Sequence, residues 1–274
     1  MIPLFVKIQY QKFRTNRVLS RSIIGGANGI VIHNLKKLLV KTKAIVLSAL
    51  RYQEKSMVVK CFTESDGLKS YYVRDAFTSK KSSQKTIYFR PLTILDMEAT
   101  HKNKGTLEYF KEVRLAFPYL SVNTNMLKTS IALFVSEMLH NCIKEEEQNQ
   151  SLYNFLETAL LWLDSHEEVV NFHLILLMEL TKFLGFYPDN TNQDCPYFEM
   201  TEGIFIPYQS ISCLNAHETA LLRRLIHLKF DNSTKAFHVT ERQALLKILL
   251  DYYAFHLDSF RRPKSLDVLR EVFE

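Results

Sequence analysis

The run SMVVKCFTESDGLKSYYVRD, Ser56 to Asp75, reads as two β-strands closed by a tight turn. Met57, Val59 and Cys61 alternate with Val58, Lys60 and Phe62, the two-residue period of a strand with two unlike faces. Valine, phenylalanine and tyrosine suit a pleated, half-buried surface. Between the two runs, ESDG (Glu64 to Gly67) supplies a turn with glycine where the chain needs a positive φ.

The same texture extends to both sides. TKAIVLSALRY (Thr42 to Tyr52) precedes the pair; IYFRPLTILDMEA (Ile87 to Ala99) and LEYFKEVRLAF (Leu107 to Phe117) follow it. HKNKG (His101 to Gly105) joins the last two as a second hairpin. Five short antiparallel strands predict a small closed barrel over residues 39–118, with the OB-fold as the candidate.

After Pro118 the apolar period becomes helical. Met126, Leu127, Ile131, Phe134, Val135, Met138, Leu139 and Cys142 form one stripe, and Leu152, Phe155, Leu156, Ala159, Leu160 and Leu163 a second. A third runs from Val170 to Leu184 and stops at Gly185, a residue suited to the left-handed C-terminal position. Asn215 with Glu218, and Thr240 with Gln243, have the spacing of capping boxes, and a last short helix starts near Ser265. Residues 119–274 therefore predict an α-helical domain, and the chain as a whole an α+β protein.

Charge divides the chain in the same way. The net charge of +6 is the sum of +7 over residues 1–37, +7 over 38–118 and −8 over 119–274. The front suits contact with a polyanion and the back suits contact with proteins. No run of about 18 apolar residues is present, so no transmembrane helix is expected. Cys61, Cys142, Cys195 and Cys213 lack a disulfide framework spacing, as in a reducing, cytoplasmic protein. Residues 1–38 are basic and weakly periodic; they read as a flexible or spurious leader dispensable for folding, with an organellar transit peptide as the other reading.

Catalytic motifs are missing: there is no phosphate-binding G-x-x-x-x-G-K-[ST], no H-E-x-x-H and no G-x-S-x-G. His166, Glu167 and His173 have the wrong spacing for a metalloprotease helix. The expectation is a binding protein rather than an enzyme. Its strongest feature is YVRDAFTSKKSSQKTIYFRP (Tyr72 to Pro91), with five cations against the single acid Asp75. Lys55 and Lys69 add charge elsewhere in the front half, and Tyr52, Tyr71, Tyr72, Tyr88 and Phe89 offer rings for base stacking, with filling of the barrel as the other reading of Tyr88 and Phe89.

The stretch TKAIVLSALRYQEKSMVVKCFTESDGLKSYYVRDA resembles the amino-terminal segment of the DNA repair protein RecO family. The shared cues are the first strand, the corner with Tyr52 and Glu54, and a second strand ending in F-T-E. FHLILLMELTKFLGFYPD (Phe172 to Asp189) and SLDVLREVF (Ser265 to Phe273) fit the family's helical remainder. The resemblance implies an OB-fold, binding of single- and double-stranded DNA, and annealing of complementary strands. It implies as partners RecR and the single-stranded-DNA-binding protein, help in loading RecA, and a place in the bacterial cytoplasm near the nucleoid. With DNA as the polyanion, the candidate DNA-binding residues are Lys41, Lys43, Arg51, Arg74, Lys80, Lys81, Lys85 and Arg90. An RNA-binding or translation-associated OB module is the alternative.

One departure concerns zinc. Many family members carry two C-x-x-C pairs after the third helix, whereas residues 186–213 here hold only Cys195 and Cys213. With His217 the ligands reach three, short of a closed structural site, so no metal is expected and aromatic packing by Phe186, Tyr187, Tyr197, Phe198 and Phe205 should take its place. In the acidic back half, Arg223, Arg224, Lys229, Arg242, Arg261, Arg262 and Lys264 could rim a groove for a partner's acidic-hydrophobic tail, or be dispersed surface charge.

Overall fold

A computed structural model describes residues 38–79, 86–102, 106–144, 146–232 and 236–273. The leader, residues 1–37, and Lys80, Lys81 and Lys85 lie outside the described residues. Strands β1 (Leu38–Tyr52), β2 (Ser56–Thr63), β3 (Gly67–Val73), β4 (Ile94–His101) and β5 (Tyr109–Leu115) form one sheet in the order β3-β2-β1-β4-β5. Its two edges meet. The Tyr72 N–H donates to the Glu108 carbonyl and the Glu108 N–H to the Ser70 carbonyl, both at 2.8 Å, a parallel bridge that closes the sheet. A five-stranded barrel closed by β3 against β5 is the OB-fold arrangement, and closure removes the exposed edges an open sheet would carry.

Strand alternation fills the barrel. Ala44, Val46, Val59, Cys61, Tyr71, Leu95, Met97 and Ala99 point inward and are buried. Tyr71 and Phe110 stack at 4.2 Å, Phe110 and Phe89 at 5.5 Å, so an aromatic column runs up the interior. The Tyr71 hydroxyl hydrogen-bonds His101 Nε2 at 2.7 Å, and His101 Nδ1 lies 2.9 Å from Asp66 Oδ2, which satisfies these buried polar groups. At the β2–β3 turn Gly67 has φ +64°, and the Thr63 hydroxyl accepts from the Asp66 N–H at 3.0 Å.

The expected strand from Ile87 to Ala99 is only half right. Thr86–Phe89 is a single 3₁₀ turn that buries Phe89, and β4 starts at Ile94. Pro91, without an N–H, cannot continue a ladder, and Leu92 takes φ +59° on the way into β4.

The helical part comprises α1 (Met126–Cys142), α2 (Gln150–Ser165), α3 (Phe172–Leu184), α4 (Ala216–His227), α5 (Val239–His256) and α6 (Leu266–Phe273), with short strands Tyr197–Glu199, Ile204–Ile206 and Cys213–Leu214 between α3 and α4. Side chains cap the starts: Asn125 accepts from the Lys128 N–H at 3.1 Å, Asn149 from Leu152 at 3.0 Å, and Asn215 with Glu218 forms a full capping box. Gly185 ends α3 at φ +86°. Two expectations shift. The N-cap of helix α5 is His238, two residues earlier than Thr240, because Glu241 reaches back to the His238 N–H at 2.8 Å. Met126, placed on the first apolar stripe, is 73% exposed, while Leu127 beside it packs against the core.

One apolar core spans barrel and helices. Ile45, Leu47, Phe62 and Leu68 on the outer barrel face join Phe134, Leu139, Tyr153 and Leu156 of α1 and α2. Each fully buried side chain of this size contributes about 1.5–3 kcal/mol, so the change near Pro118 is one of secondary structure, with packing continuous across it. Asp164 holds the connection: its carboxylate accepts from the Leu120, Ser121 and Val122 N–H groups at 2.9, 2.8 and 3.0 Å. No helix among the described residues is long and apolar enough to cross a membrane.

Candidate nucleic-acid interface

A β-bulge builds the site. The register of β1 against β2 slips between Val46 and Ser48, which re-phases the strand. Before the bulge the outward residues are odd-numbered, with Lys41 and Lys43 exposed and Ile45 and Leu47 under the helices. After it, Leu50 and Tyr52 point outward, opposite Val58 and Ser56 of β2. Val58 in turn pairs with Tyr72 of β3. The outer face of β2–β3, the nucleic-acid face of OB-folds, therefore carries tyrosines from three strands.

Tyr52 and Tyr72 meet edge to face at 6.1 Å, and Tyr72 and Tyr109 do so at 6.0 Å. The Tyr72 and Ser56 hydroxyls lie 2.8 Å apart, which fixes the central ring. Tyr52 is 46% and Tyr109 44% exposed, and Leu50 beside them is 65% exposed. Lys102, on the β4–β5 connection, brings its Nζ within 5.2 Å of the Tyr109 ring. Such a row of fixed, open rings with a cation at its edge can stack bases and meet a phosphate.

The sequence candidates divide into groups. Arg51 stands over Phe77 at 5.0 Å and donates to the Glu54 carbonyl at 2.8 Å, beside the β1–β2 turn. Arg74 and Arg90 are exposed and take part in none of the ion pairs among the described residues. Lys41 and Lys43 lie on the β1 segment before the bulge and have carboxylate partners, Glu98 at 2.8 Å and Glu157 at 2.9 Å. Donating hydrogen bonds to these carboxylates holds both ammonium groups above the ordinary lysine range. Tyr71, expected as a stacking ring, is inside the barrel instead, where burial pushes its phenol well up, and Phe89 fills the barrel, the other of its two readings. Tyr109 and Lys102 were missed. Their signal was present: Tyr109 has the outward phase of LEYFKEVRL, and Lys102 sits in a hairpin turn.

Aromatic side chains pack closely through residues 186–213. Phe198 and Phe205 pack at 5.0 Å and Phe198 with Tyr252 at 5.7 Å. Cys213 Sγ lies 3.2 Å from the Ser210 hydroxyl, the Cys195 carbonyl accepts from Arg223 at 2.7 Å, and His217 is exposed. Among the described residues no three His, Cys, Asp or Glu side chains group closely enough to hold a metal. Of the proposed basic rim, Arg224 pairs with Glu241 at 2.7 Å, Lys229 with Glu179 at 2.8 Å and Arg262 with Asp251.

The chain matches two family profiles, "Recombination protein O N terminal" over residues 37–119 and "Recombination protein O C terminal" over residues 123–267. It is 63% identical over 235 residues to the DNA repair protein RecO of Flavobacterium psychrophilum, covering 85% of this chain and 99% of that protein. The RecO proteins of Christiangramia forsetii and Bacteroides fragilis are 39% and 35% identical, each aligned over 86% of this chain and its own full length. A barrel and a helical domain each matched by its own profile, and relatives matched end to end, give one conclusion: the chain belongs to the recombination protein O (RecO) family.

Proposed function

We propose that this protein is a DNA repair and recombination mediator: it binds single- and double-stranded DNA, anneals complementary strands, and with RecR helps load RecA onto DNA coated by the single-stranded-DNA-binding protein. The observation that carries the reading is the open tyrosine row Tyr52–Tyr72–Tyr109 on the outer β2–β3 face. Stacking is tolerant of sequence because every base has a π-face. Arg51, Arg74 and Arg90, with Lys80, Lys81 and Lys85 of the adjoining loop, supply phosphate contacts. Annealing needs repulsion between strands neutralised and both held loosely, so no catalytic group is required and the protein acts as a non-enzyme. Its place of action is the bacterial cytoplasm, at the nucleoid.

The test is annealing of complementary DNA strands, bare and coated with the single-stranded-DNA-binding protein, with an RNA competitor present in a parallel set. Faster annealing that RNA does not abolish supports the reading. No acceleration, or a preference for RNA, overturns it in favour of an RNA-binding OB module.

A further inference from the structure

Three members of the open site are each preceded in the chain by a buried polar residue. Tyr71 comes before Tyr72, His101 before Lys102 and Glu108 before Tyr109. A polar layer therefore runs beneath the rings. Part of it pins the end of β4. The Tyr71 hydroxyl bonds His101 Nε2 at 2.7 Å, and His101 Nδ1 meets the Asp66 carboxylate at 2.9 Å. Burial alone would raise the Asp66 carboxyl, but hydrogen bonds from Ser65 and His101 hold it below the ordinary carboxylate range. An ionised Asp66 only accepts, so His101 Nδ1 carries the proton of their bond. His101 is thus fixed from inside the barrel, one residue before Lys102.

Glu108 holds Lys102 from the other side. Barrel closure uses only its main chain, whose carbonyl accepts from Tyr72 and whose N–H donates to Ser70. Any residue with an N–H can make that bridge. A carboxylate is expensive to bury unless it is hydrogen-bonded, so its presence at this position needs a partner. Glu108 Oε1 reaches back across the β4–β5 connection and accepts the Lys102 main-chain N–H at 2.8 Å. A carboxylate is a strong acceptor for such a group. From the backbone fixed in this way the Lys102 side chain extends to the Tyr109 ring, with Nζ 5.2 Å from its centre. Lysine has many rotamers to lose on ordering, and an anchored main chain limits where its ammonium can go.

We propose that Glu108 is a positioning residue for single-strand binding: its buried carboxylate holds Lys102 at the end of the tyrosine row, where the Lys102 ammonium meets the phosphate of the nucleotide stacked on Tyr109. The inference rests on the DNA-binding reading above and deepens it, by pairing one cation with one ring and naming what keeps the two in register. Glu108 itself touches no DNA and acts through Lys102.

The test is a double-mutant cycle on wild type, Lys102→Gln, Glu108→Leu and the two combined, with Glu108→Gln as the conservative variant. Two readouts are used: titration of a labelled oligothymidylate across a salt series, and amide hydrogen exchange at Lys102 by NMR without DNA. Lys102→Gln is expected to lower the log-affinity against log-salt slope by about 0.7, one single-strand contact. Glu108→Leu should lower it alike and expose the Lys102 amide to exchange. The combined variant should lose no more slope than either alone, because both changes remove the same contact. Glu108→Gln can turn its amide oxygen to the Lys102 N–H, so it should keep both the slope and the protection. A folded Glu108→Leu with the wild-type slope, or losses that add to about 1.4 in the combined variant, overturns the positioning role and leaves the DNA reading standing. Wild type without affinity for the oligothymidylate overturns both. If Glu108→Leu fails to melt cooperatively, two measurements on folded proteins still decide: an unprotected Lys102 amide in wild type, or a wild-type slope in Lys102→Gln, overturns the proposal.

Discussion

The ammonium of Lys43 lies 2.9 Å from the carboxylate of Glu157, tying strand β1 to helix α2. The pair is partly open to solvent and spans the junction between barrel and helices. Exposed pairs of this kind contribute about 0–1 kcal/mol. Lys43→Ala is therefore expected to lower stability by less than about 1 kcal/mol and to leave the salt dependence of DNA binding unchanged. Lys41, which shares Glu98 with Lys111, should behave alike. A slope reduced by about 0.7 in either variant would place that lysine on a phosphate.

The loop lysines should differ. Lys80, Lys81 and Lys85 lie between Arg74 and Arg90, both exposed and both outside the ion pairs among the described residues. Changing the three to Ala together should flatten the salt slope on single strands by about two and weaken all sequences alike. Melting should move little, since exposed loop substitutions usually cost within about 0.5 kcal/mol. Unchanged affinity and slope in the folded variant would remove the loop from the DNA path.

The tyrosine row makes the complementary prediction. Tyr72→Ala, and Tyr52→Ala with Tyr109→Ala, should each weaken single-stranded DNA by about 1–3 kcal/mol per lost stacked base while leaving the salt slope intact. Duplex binding should suffer less, because paired bases do not splay onto rings. Intrinsic quenching and salt titration on the same samples separate the two effects. Equal losses on single and double strands would mean that the rings only support the fold.

Much of this architecture is written in local pattern. The alternation of Met57, Val59 and Cys61, the turn glycine at Gly67, and the Asn215–Glu218 box act over a few residues, and each appears where the sequence places it. The interface was less legible because it depends on register. The bulge at Val46–Ser48 reverses the outward phase of β1, and nothing in AIVLSAL announces it. Adjacent tyrosines, Tyr71 and Tyr72, face opposite sides of the same strand, so one fills the core and the other the surface. Tyr109 joins the row only through the β3–β5 closure, a contact between segments far apart in sequence.

Cysteine chemistry offers a further check. Cys213 Sγ lies against the Ser210 hydroxyl, and among the described residues neither Cys195 nor Cys213 belongs to a group of three side chains able to hold a metal. Cys195→Ser/Cys213→Ser should shift melting by about 2 °C or less, a surface-scale effect of around 0.5 kcal/mol. A chelator should not shift it at all. Stoichiometric zinc in elemental analysis, lost with stability on chelation, would contradict the aromatic packing as the loop's support.

Asp164 sets the acid limit of the connection between barrel and helices. Burial alone would raise its carboxyl, but the Leu120, Ser121 and Val122 N–H groups and the Ser121 hydroxyl all donate to it and hold it below the ordinary carboxylate range. A depressed folded-state pKa means that the unfolded chain takes up the proton first. The contribution to stability is therefore full above the unfolded carboxylate value of about 3.9 and is lost as pH falls through the lower folded value. Asp164→Ala removes both carboxylate acceptors and also the negative charge near the buried Lys128 ammonium, which donates to the Asp164 main-chain carbonyl at 2.9 Å. It should cost about 3 kcal/mol near pH 7. Asp164→Asn can keep its oxygen toward Ser121 and Val122 but turns an amide donor onto the Leu120 N–H, so a smaller loss of about 1–2 kcal/mol is expected. Denaturant melts of the three proteins from pH 7 to pH 3 check both the order and the pH window. The gap between wild type and Asp164→Asn should close below about pH 4; a gap independent of pH would mean that shape rather than charge at this position holds the connection.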